Sequence, residues 1–204
     1  MIRLSAKQLA EYMTATPTNQ RKLLRKWKYP DPNAFPRWMY YKEARGCIVR
    51  FHRDCRDASW LTEQAARFEI AGDQRLDHNA RSLRKYAEHF GTRKLVYLGA
   101  PPLRYSHGNV VISARPDLYV TERGKEKLLK LDFVVARVDE EIPKIVTRLM
   151  LEAAQIQEFS ISPSRVEYIH ISSGISVKGK AAGTRALGNI DASCENITAI
   201  WDSL

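Results

Sequence analysis

The repeat period of the apolar residues changes at Gly91, and this change constrains the fold more than any other feature of the sequence. Before Gly91, apolar side chains recur at the three- and four-residue spacing of amphipathic helices. After it, short runs have the alternation and β-rich composition of strands, and one long helical run interrupts them. The sequence therefore predicts a helical first part followed by a mixed α/β (α+β) domain.

The first part is predicted to form helices that begin with Ser5 as an N-cap, because a serine hydroxyl can accept a hydrogen bond from a free backbone N–H. These helices are Ala6–Ala15, Asn19–Lys28, Arg37–Arg53, Ala58–Ala71 and Asp73–Phe90. The later predicted elements are strands Lys94–Leu98, Asn109–Thr121 and Lys127–Val135, helix Glu140–Phe159, strand Ser164–Ser172 and helix Asn189–Leu204. The core order is thus helix, strand, strand, strand, helix, strand.

Positive charge is concentrated at one end of the chain. Residues 1–56 hold 13 Lys and Arg against 4 Asp and Glu, a balance of +9, whereas residues 57–204 hold 20 against 19. Such asymmetry points to a localised anionic partner. The sequence predicts a basic, helical nucleic-acid-contacting region at 1–56 and an α/β domain with a C-terminal helix at 57–204.

Long cations dominate the second predicted helix and the start of the third. Such side chains reach phosphates, whereas base readout favours Asn, Gln and Ser, so we expect contacts to the backbone of a nucleic acid. DNA is the first candidate, and RNA stays open because its backbone carries the same phosphates. Between residues 37 and 53, cations also alternate with aromatic residues, a pattern that suits single strands. The predicted contact residues are Arg21, Lys22, Arg25, Lys26, Lys28 and Arg37.

The rest of the composition bears on the size of the core, on membrane insertion and on disulfide bonds. The chain has 204 residues and 44% hydrophobic content, which supports a sizeable core. Its apolar runs are shorter than the roughly 18 residues of a membrane-spanning helix. The odd count of 3 cysteines, without a CxxC pair, predicts reduced thiols. We therefore expect a cytoplasmic protein with no membrane partner.

Two predicted strands carry the motif with the most chemical content. Residues 112–119 read Ile-Ser-Ala-Arg-Pro-Asp-Leu-Tyr, and residues 129–134 read Leu-Lys-Leu-Asp-Phe-Val after a hairpin. This pattern resembles the PD-(D/E)XK nuclease superfamily, in particular its RecB-like members, over about residues 58–172. The resemblance implies a restriction-endonuclease-like core in which Asp117 matches the first acid of the family and Asp132 the second.

In a site of that family, the two carboxylates would jointly bind Mg²⁺, which polarises the scissile phosphate and lowers the pKa of a bound water. A lysine nearby orients that water. The family's lysine position is Val134 here, so the motif lacks a residue. Lys130 lies two residues before Asp132 and therefore on the same strand face, which makes it the candidate substitute.

Two further observations bear on this motif. Gln155 and Phe159 look like the Gln-x-x-x-Tyr element of RecB-like nucleases with Phe for Tyr. An ion pair between Asp132 and either Lys130 or Arg115 would satisfy the buried carboxylate without any metal.

Three functions remain open from the sequence. The first is a nucleic-acid-binding protein with a degenerate nuclease-like site, accessory to DNA processing or restriction machinery and with protein partners in a multi-subunit system. The second is a Mg²⁺- or Mn²⁺-dependent nuclease that uses Asp117, Asp132 and Lys130. The third is an interaction subunit whose cationic end docks on an acidic protein.

Overall fold

The computed structural model describes residues 1–135, 139–181 and 184–204, with the side chains of residues 37, 38 and 184 outside that description. The helices are α1 (Ala6–Thr14), α2 (Pro17–Lys28), α3 (Arg37–Tyr40), α4 (Lys42–Arg53), α5 (Ala58–Ile70), α6 (Gln74–Phe90), α7 (Glu141–Ile156) and α8 (Thr184–Trp201). The strands are β1 (Ile2–Ser5), β2 (Val96–Gly99), β3 (Arg104–His107), β4 (Val110–Ser113), β5 (Leu118–Glu122), β6 (Lys125–Asp132), β7 (Val166–His170) and β8 (Ile175–Lys178). The predicted α/β class is confirmed.

The strands form two sheets. The main sheet has the order β2-β5-β6-β7-β8, and the small sheet has the order β1-β4-β3. Within the main sheet, β6 and β7 are parallel and the other pairs are antiparallel. Helix α7 connects β6 to β7, because two parallel strands need a crossover connection. The small sheet begins with a parallel pair, β1 and β4.

A hydrophobic core lies on each face of the main sheet. Successive residues of a strand point to opposite faces, so Leu128 belongs to the core that includes α1, α7 and α8, while Leu129 and Leu131 belong to the core under α4, α5 and α6. Both cores draw on the first 56 residues, since α1 supplies Leu9 to one and α4 supplies Ile48 to the other. The segments 1–56 and 57–204 therefore share both cores, and the boundary between them stays a prediction about function.

Two local predictions from the sequence, the Ser5 N-cap and the apolar face of α4, are confirmed. Ser5 caps α1: its Oγ accepts from the backbone N–H of Gln8 at 3.2 Å, and Gln8 Oε1 accepts from the Ser5 N–H at 2.8 Å. A reciprocal cap of this kind typically contributes about 1 kcal/mol to helix stability. The residues that α4 buries include the predicted apolar face, namely Ala44, Cys47, Ile48 and Phe51.

The structure differs from the sequence prediction in three places. The run 109–121 is not one strand but two, β4 in the small sheet and β5 in the main sheet, because Pro116 between them has no N–H to donate to a ladder. The predicted helix Arg37–Arg53 is broken at Tyr41 into α3 and α4. Short strands β1, β3 and β8 were not predicted, since four residues carry little alternation.

Candidate functional site

The two motif aspartates lie at the same end of the main sheet. Asp117 directly precedes β5, Asp132 is the last residue of β6, and these strands run antiparallel. Asp132 is paired in register with His170, the last residue of β7. We call this end, with Asp117, Lys130, Asp132, Tyr168 and His170, the polar sheet end.

Asp132 is buried and forms an ion pair with a residue that the sequence did not indicate. Its side chain is 4% exposed, and Oδ1 lies 2.6 Å from Nζ of Lys7, which α1 brings over the sheet. The hydroxyl of Tyr168 donates to Oδ2 at 2.7 Å, and the N–H of Val134 donates to Oδ1 at 3.3 Å. Burial and the Asp132 charge together raise the pKa of Tyr168, so this phenol remains a donor. The partner of Asp132 is therefore Lys7 and neither Lys130 nor Arg115.

Asp117 is also held by cations. Its Oδ1 lies 2.8 Å from Nε of Arg45 on α4, and its Oδ2 lies 3.1 Å from Nζ of Lys130. The N–H of Leu131 donates to Oδ2 at 2.8 Å. Lys130 also donates to the carbonyl of Arg115 at 3.1 Å. Lys130 thus serves the first acid of the motif, whereas the sequence analysis placed it beside the second.

The donor set of the polar sheet end does not fit Mg²⁺. This ion takes near-octahedral oxygen ligands, and a site for it needs carboxylate oxygens that are free to coordinate. Here a cation engages each carboxylate, and three cations, Lys7, Arg45 and Lys130, face two acids. Among residues 1–135, 139–181 and 184–204, no three His, Cys, Asp or Glu side chains converge as a metal site. A divalent ion would have to displace the ammoniums of Lys7 and Lys130 and the guanidinium of Arg45.

The two remaining parts of the nuclease motif do not complete this site. Val134 stands where the family has lysine, and its side chain is partly exposed. Gln155 lies near the end of α7, which leads to the start of β7 and hence to the opposite end of the main sheet. Phe159 is packed edge-on against the ring of Tyr119, with 5.7 Å between centroids. The structure therefore pairs Asp117 with Lys130, places Asp132 at the same sheet end with a different cation, Lys7, and leaves Gln155 apart.

Helix α2 carries a cluster of exposed cations of the basic segment, residues 1–56. Arg21, Lys22, Arg25 and Lys26 are all exposed, and at about 100° per residue they cover an arc of about 140° on one side of the helix. The opposite side holds buried Leu24. Within the described chain, none of the four cations has an ion pair. We call these four residues the basic face of α2.

The last cation of α2 has a different role. Nζ of Lys28 donates to the carbonyl of Trp201 at 2.7 Å and lies 5.9 Å from the Trp201 ring. An ammonium at a helix C-terminus satisfies a free carbonyl and interacts favourably with the helix dipole. Lys28 therefore holds the end of α8, although the sequence grouped it with the phosphate contacts. The predicted contact residue Arg37 has its side chain outside the described residues.

Several aromatic residues of the basic segment are engaged within the fold. Tyr41 stacks on Phe133 with 5.0 Å between ring centroids, and the Tyr40 hydroxyl lies 2.7 Å from Nδ1 of His78. Their alternation with cations, which in the sequence is typical of single-strand binding, here serves packing against α6 and against Phe133, the residue that follows β6.

The functional residues that sequence reasoning missed are Lys7, Arg45 and Tyr168. Each reaches its aspartate from a distant element; Lys7 and Asp132, for example, are 125 positions apart. No local pattern marks such pairs, because a lysine near a helix start is common on any surface. The one available signal was the buried aspartate itself, which demanded a partner.

Comparison of this chain with family models, with curated proteins and with solved structures finds no match in any of the three. Among the described residues, no helix has the length and apolar character that crossing a bilayer requires. Any function assigned to the chain therefore rests on the geometry of its own side chains.

Proposed function

We propose that this protein binds a nucleic acid, DNA rather than RNA, through the basic face of α2. The observation that carries the proposal is that Arg21, Lys22, Arg25 and Lys26 share one exposed side of one helix and have no ion pair within the described chain. Four like charges on one side of a helix repel one another and so oppose folding. Binding of an anionic partner would relieve this repulsion. Phosphates of a nucleic acid provide regularly spaced charges of that kind.

The polar sheet end supports binding rather than cleavage. Each motif aspartate holds one cation of the basic segment, Asp132 through Lys7 on α1 and Asp117 through Arg45 on α4. In this proposal the nuclease-like motif, with its acids neutralised, is a structural joint that fixes the basic segment on the main sheet. The protein would act as an accessory to DNA processing or restriction machinery in the cytoplasm, where its free cysteines stay reduced.

Fluorescence anisotropy with a labelled DNA duplex tests the proposal. We expect binding at about 50 mM salt and about a 100-fold loss of affinity at about 200 mM, because four phosphate contacts give a slope of roughly −3.6 in log K against log salt. No binding at the lower salt would refute it. Equal displacement by polyglutamate and by unlabelled DNA would instead indicate an acidic protein partner.

A cleavage assay separates the binding function from the nuclease alternative. We expect no cutting of single- or double-stranded DNA or RNA with Mg²⁺ or Mn²⁺, since the cations on both aspartates occupy the positions that the metal needs. Cutting by the wild type that Asp132→Ala abolishes would reverse this assignment.

A further inference from the structure

A groove of about 540 Å³ runs along α4, on a different helix from the basic face of α2. Residues 42, 45, 46, 49 and 53 line it from α4 because their three- and four-residue spacing places them on one side of the helix, and Phe68 lines it from α5. We call this the α4 groove.

The lining of the α4 groove is strongly basic. Lys42, Arg45, Arg50 and Arg53 stand against one acid of the lining, Glu43, whose carboxylate is bonded at 2.6 Å to Arg75. Arg45 is held by Asp117 outside the lining, and Arg53 forms an exposed ion pair with Asp54 that a phosphate can replace at little cost. A second groove of about 540 Å³ lies at residues 155–165 and carries one acid and one base. The excess of positive charge in its lining marks the α4 groove as a place for an anion.

Gly46 is the most informative residue of the groove. Glycine in the middle of a helix costs stability relative to alanine, and a natural reason to keep it is a conformation or a close approach that a side chain would prevent. Gly46 has ordinary helical geometry, and a Cβ built on it meets no atom within 4 Å. The backbone conformation does not require this glycine, and its missing side chain leaves open space in the α4 groove.

The floor and the rim of the groove differ in chemistry. Val49 and Phe68 beside Gly46 form an apolar floor, whereas Lys42 and Arg53 stand near the two ends of the helix, about 16 Å apart at 1.5 Å per residue. A single-stranded nucleic acid matches both parts, because its unpaired bases offer apolar faces while its phosphates track cations. A duplex hides its base faces in the stack and offers only phosphates to such a groove.

We propose that the α4 groove binds a single-stranded nucleic acid, with a base over Gly46, Val49 and Phe68 and phosphates along Lys42 and Arg53. This inference rests on the proposed function and extends it by assigning a second surface and a strand preference. The protein would contact duplex phosphates through the basic face of α2 and an unpaired strand through α4.

Substitutions at Gly46 provide a matched test, because a side chain there enters the groove without disturbing the fold. Gly46→Glu and Gly46→Gln differ only in charge, and Gly46→Ala controls for the change in the helix backbone. We would titrate each with a labelled oligo-dT and with a labelled duplex of equal length at low salt. Circular dichroism melts check that each variant is folded.

We expect Gly46→Glu to bind oligo-dT at least tenfold more weakly than Gly46→Gln, and Gly46→Ala to lose less affinity than either, because its methyl group fills the least of the groove. Duplex binding should change less than threefold in all three variants. Replacing the four cations of the basic face of α2 with Ala should have the opposite pattern, with the larger loss on the duplex.

The outcomes separate the two proposals. If the wild type binds neither probe, the proposed function itself fails. If the wild type binds both probes and Gly46→Glu and Gly46→Gln bind oligo-dT equally, the groove assignment fails while the function stands. A loss in Gly46→Glu confined to the duplex would overturn the strand preference.

Discussion

Helices α2 and α4 have the same length, 12 residues, and the same basic character, yet the fold uses them in different ways. Helix α2 buries only Leu24 and points four cations into solvent. Helix α4 buries five residues, and several of its cations contact protein groups. Arg45 forms an ion pair with Asp117, and the guanidinium of Arg50 lies 5.8 Å from the centre of the Trp60 ring. Net charge alone therefore does not tell a binding surface from a structural one. The basic face of α2 has no partner in the described fold, whereas α4 combines structural cations such as Arg45 with the lining of the α4 groove.

The largest expected effect comes from removing Asp132, the buried ion-pair partner of Lys7. Asp132→Ala should lower the free energy of unfolding by about 4 kcal/mol, because it strips Lys7 of its counter-ion and the buried Tyr168 hydroxyl of its acceptor. Urea denaturation measures this change. Asp54→Ala, which removes an exposed ion pair with Arg53, is the matched control and should leave stability unchanged. A loss no larger than that of the control would mean that Asp132 does not hold α1.

Acid should weaken the interior beneath α4 before it affects the basic face of α2. His52 lies 2.7 Å from the Tyr86 hydroxyl, and burial, assisted by the Arg93 charge, lowers its pKa from an ordinary 6.5 to about 4. The unfolded chain thus takes up this proton first, so the stabilisation is complete above about pH 6.5 and is lost as the pH falls towards 4. The full loss is about 3 kcal/mol.

Urea denaturation between pH 7 and pH 5 measures the upper part of that loss. His52→Gln is the control, because it removes the titrating group and should flatten the pH dependence in this window. An equally steep dependence in the variant would assign the effect to other groups.

The basic face of α2 should show the opposite behaviour. Replacing Arg21, Lys22, Arg25 and Lys26 with Ala should leave the urea midpoint unchanged, because these side chains are exposed and make no ion pair within the described chain. Affinity for a DNA duplex should fall about 100-fold at low salt, or about 2.7 kcal/mol, and the salt slope should flatten by roughly 3.6. Anisotropy titrations at several salt concentrations give both values. Unchanged affinity would move the duplex contact away from α2.

The smallest effect sharpens the comparison within one helix. Lys28→Met should cost about 1 kcal/mol of stability, because the Trp201 carbonyl loses its donor, and it should leave the salt slope of DNA binding intact. Lys26→Met should do the reverse, with unchanged stability and a slope reduced by about 0.9. The two variants differ only in which lysine of α2 is replaced. Identical behaviour of both would contradict the division of roles.

Sequence reasoning reached the features that short-range spacing determines. The Ser5 cap and the apolar face of α4 derive from local periodicity, and the resemblance to a nuclease motif indicated the common sheet end of Asp117 and Asp132. Ion pairs between residues distant in sequence could not be predicted, because Lys7 and Arg45 resemble surface cations in the sequence. Only tertiary packing brings them to the two aspartates. The division of 109–121 between two sheets was missed for the same reason: β1 pairs with β4 only in the tertiary fold.

The parallel pair of β1 and β4 has a consequence for how the chain acquires its structure. Ile2 pairs with Val110, so 108 positions separate the two partners. At the usual rates of translation, β1 is synthesised roughly 5 to 20 s before β4, its neighbour in the small sheet. The interval is longer still for Lys28, because its acceptor, the carbonyl of Trp201, is synthesised later. During that interval the basic segment lacks its partners in β4, β6 and α8.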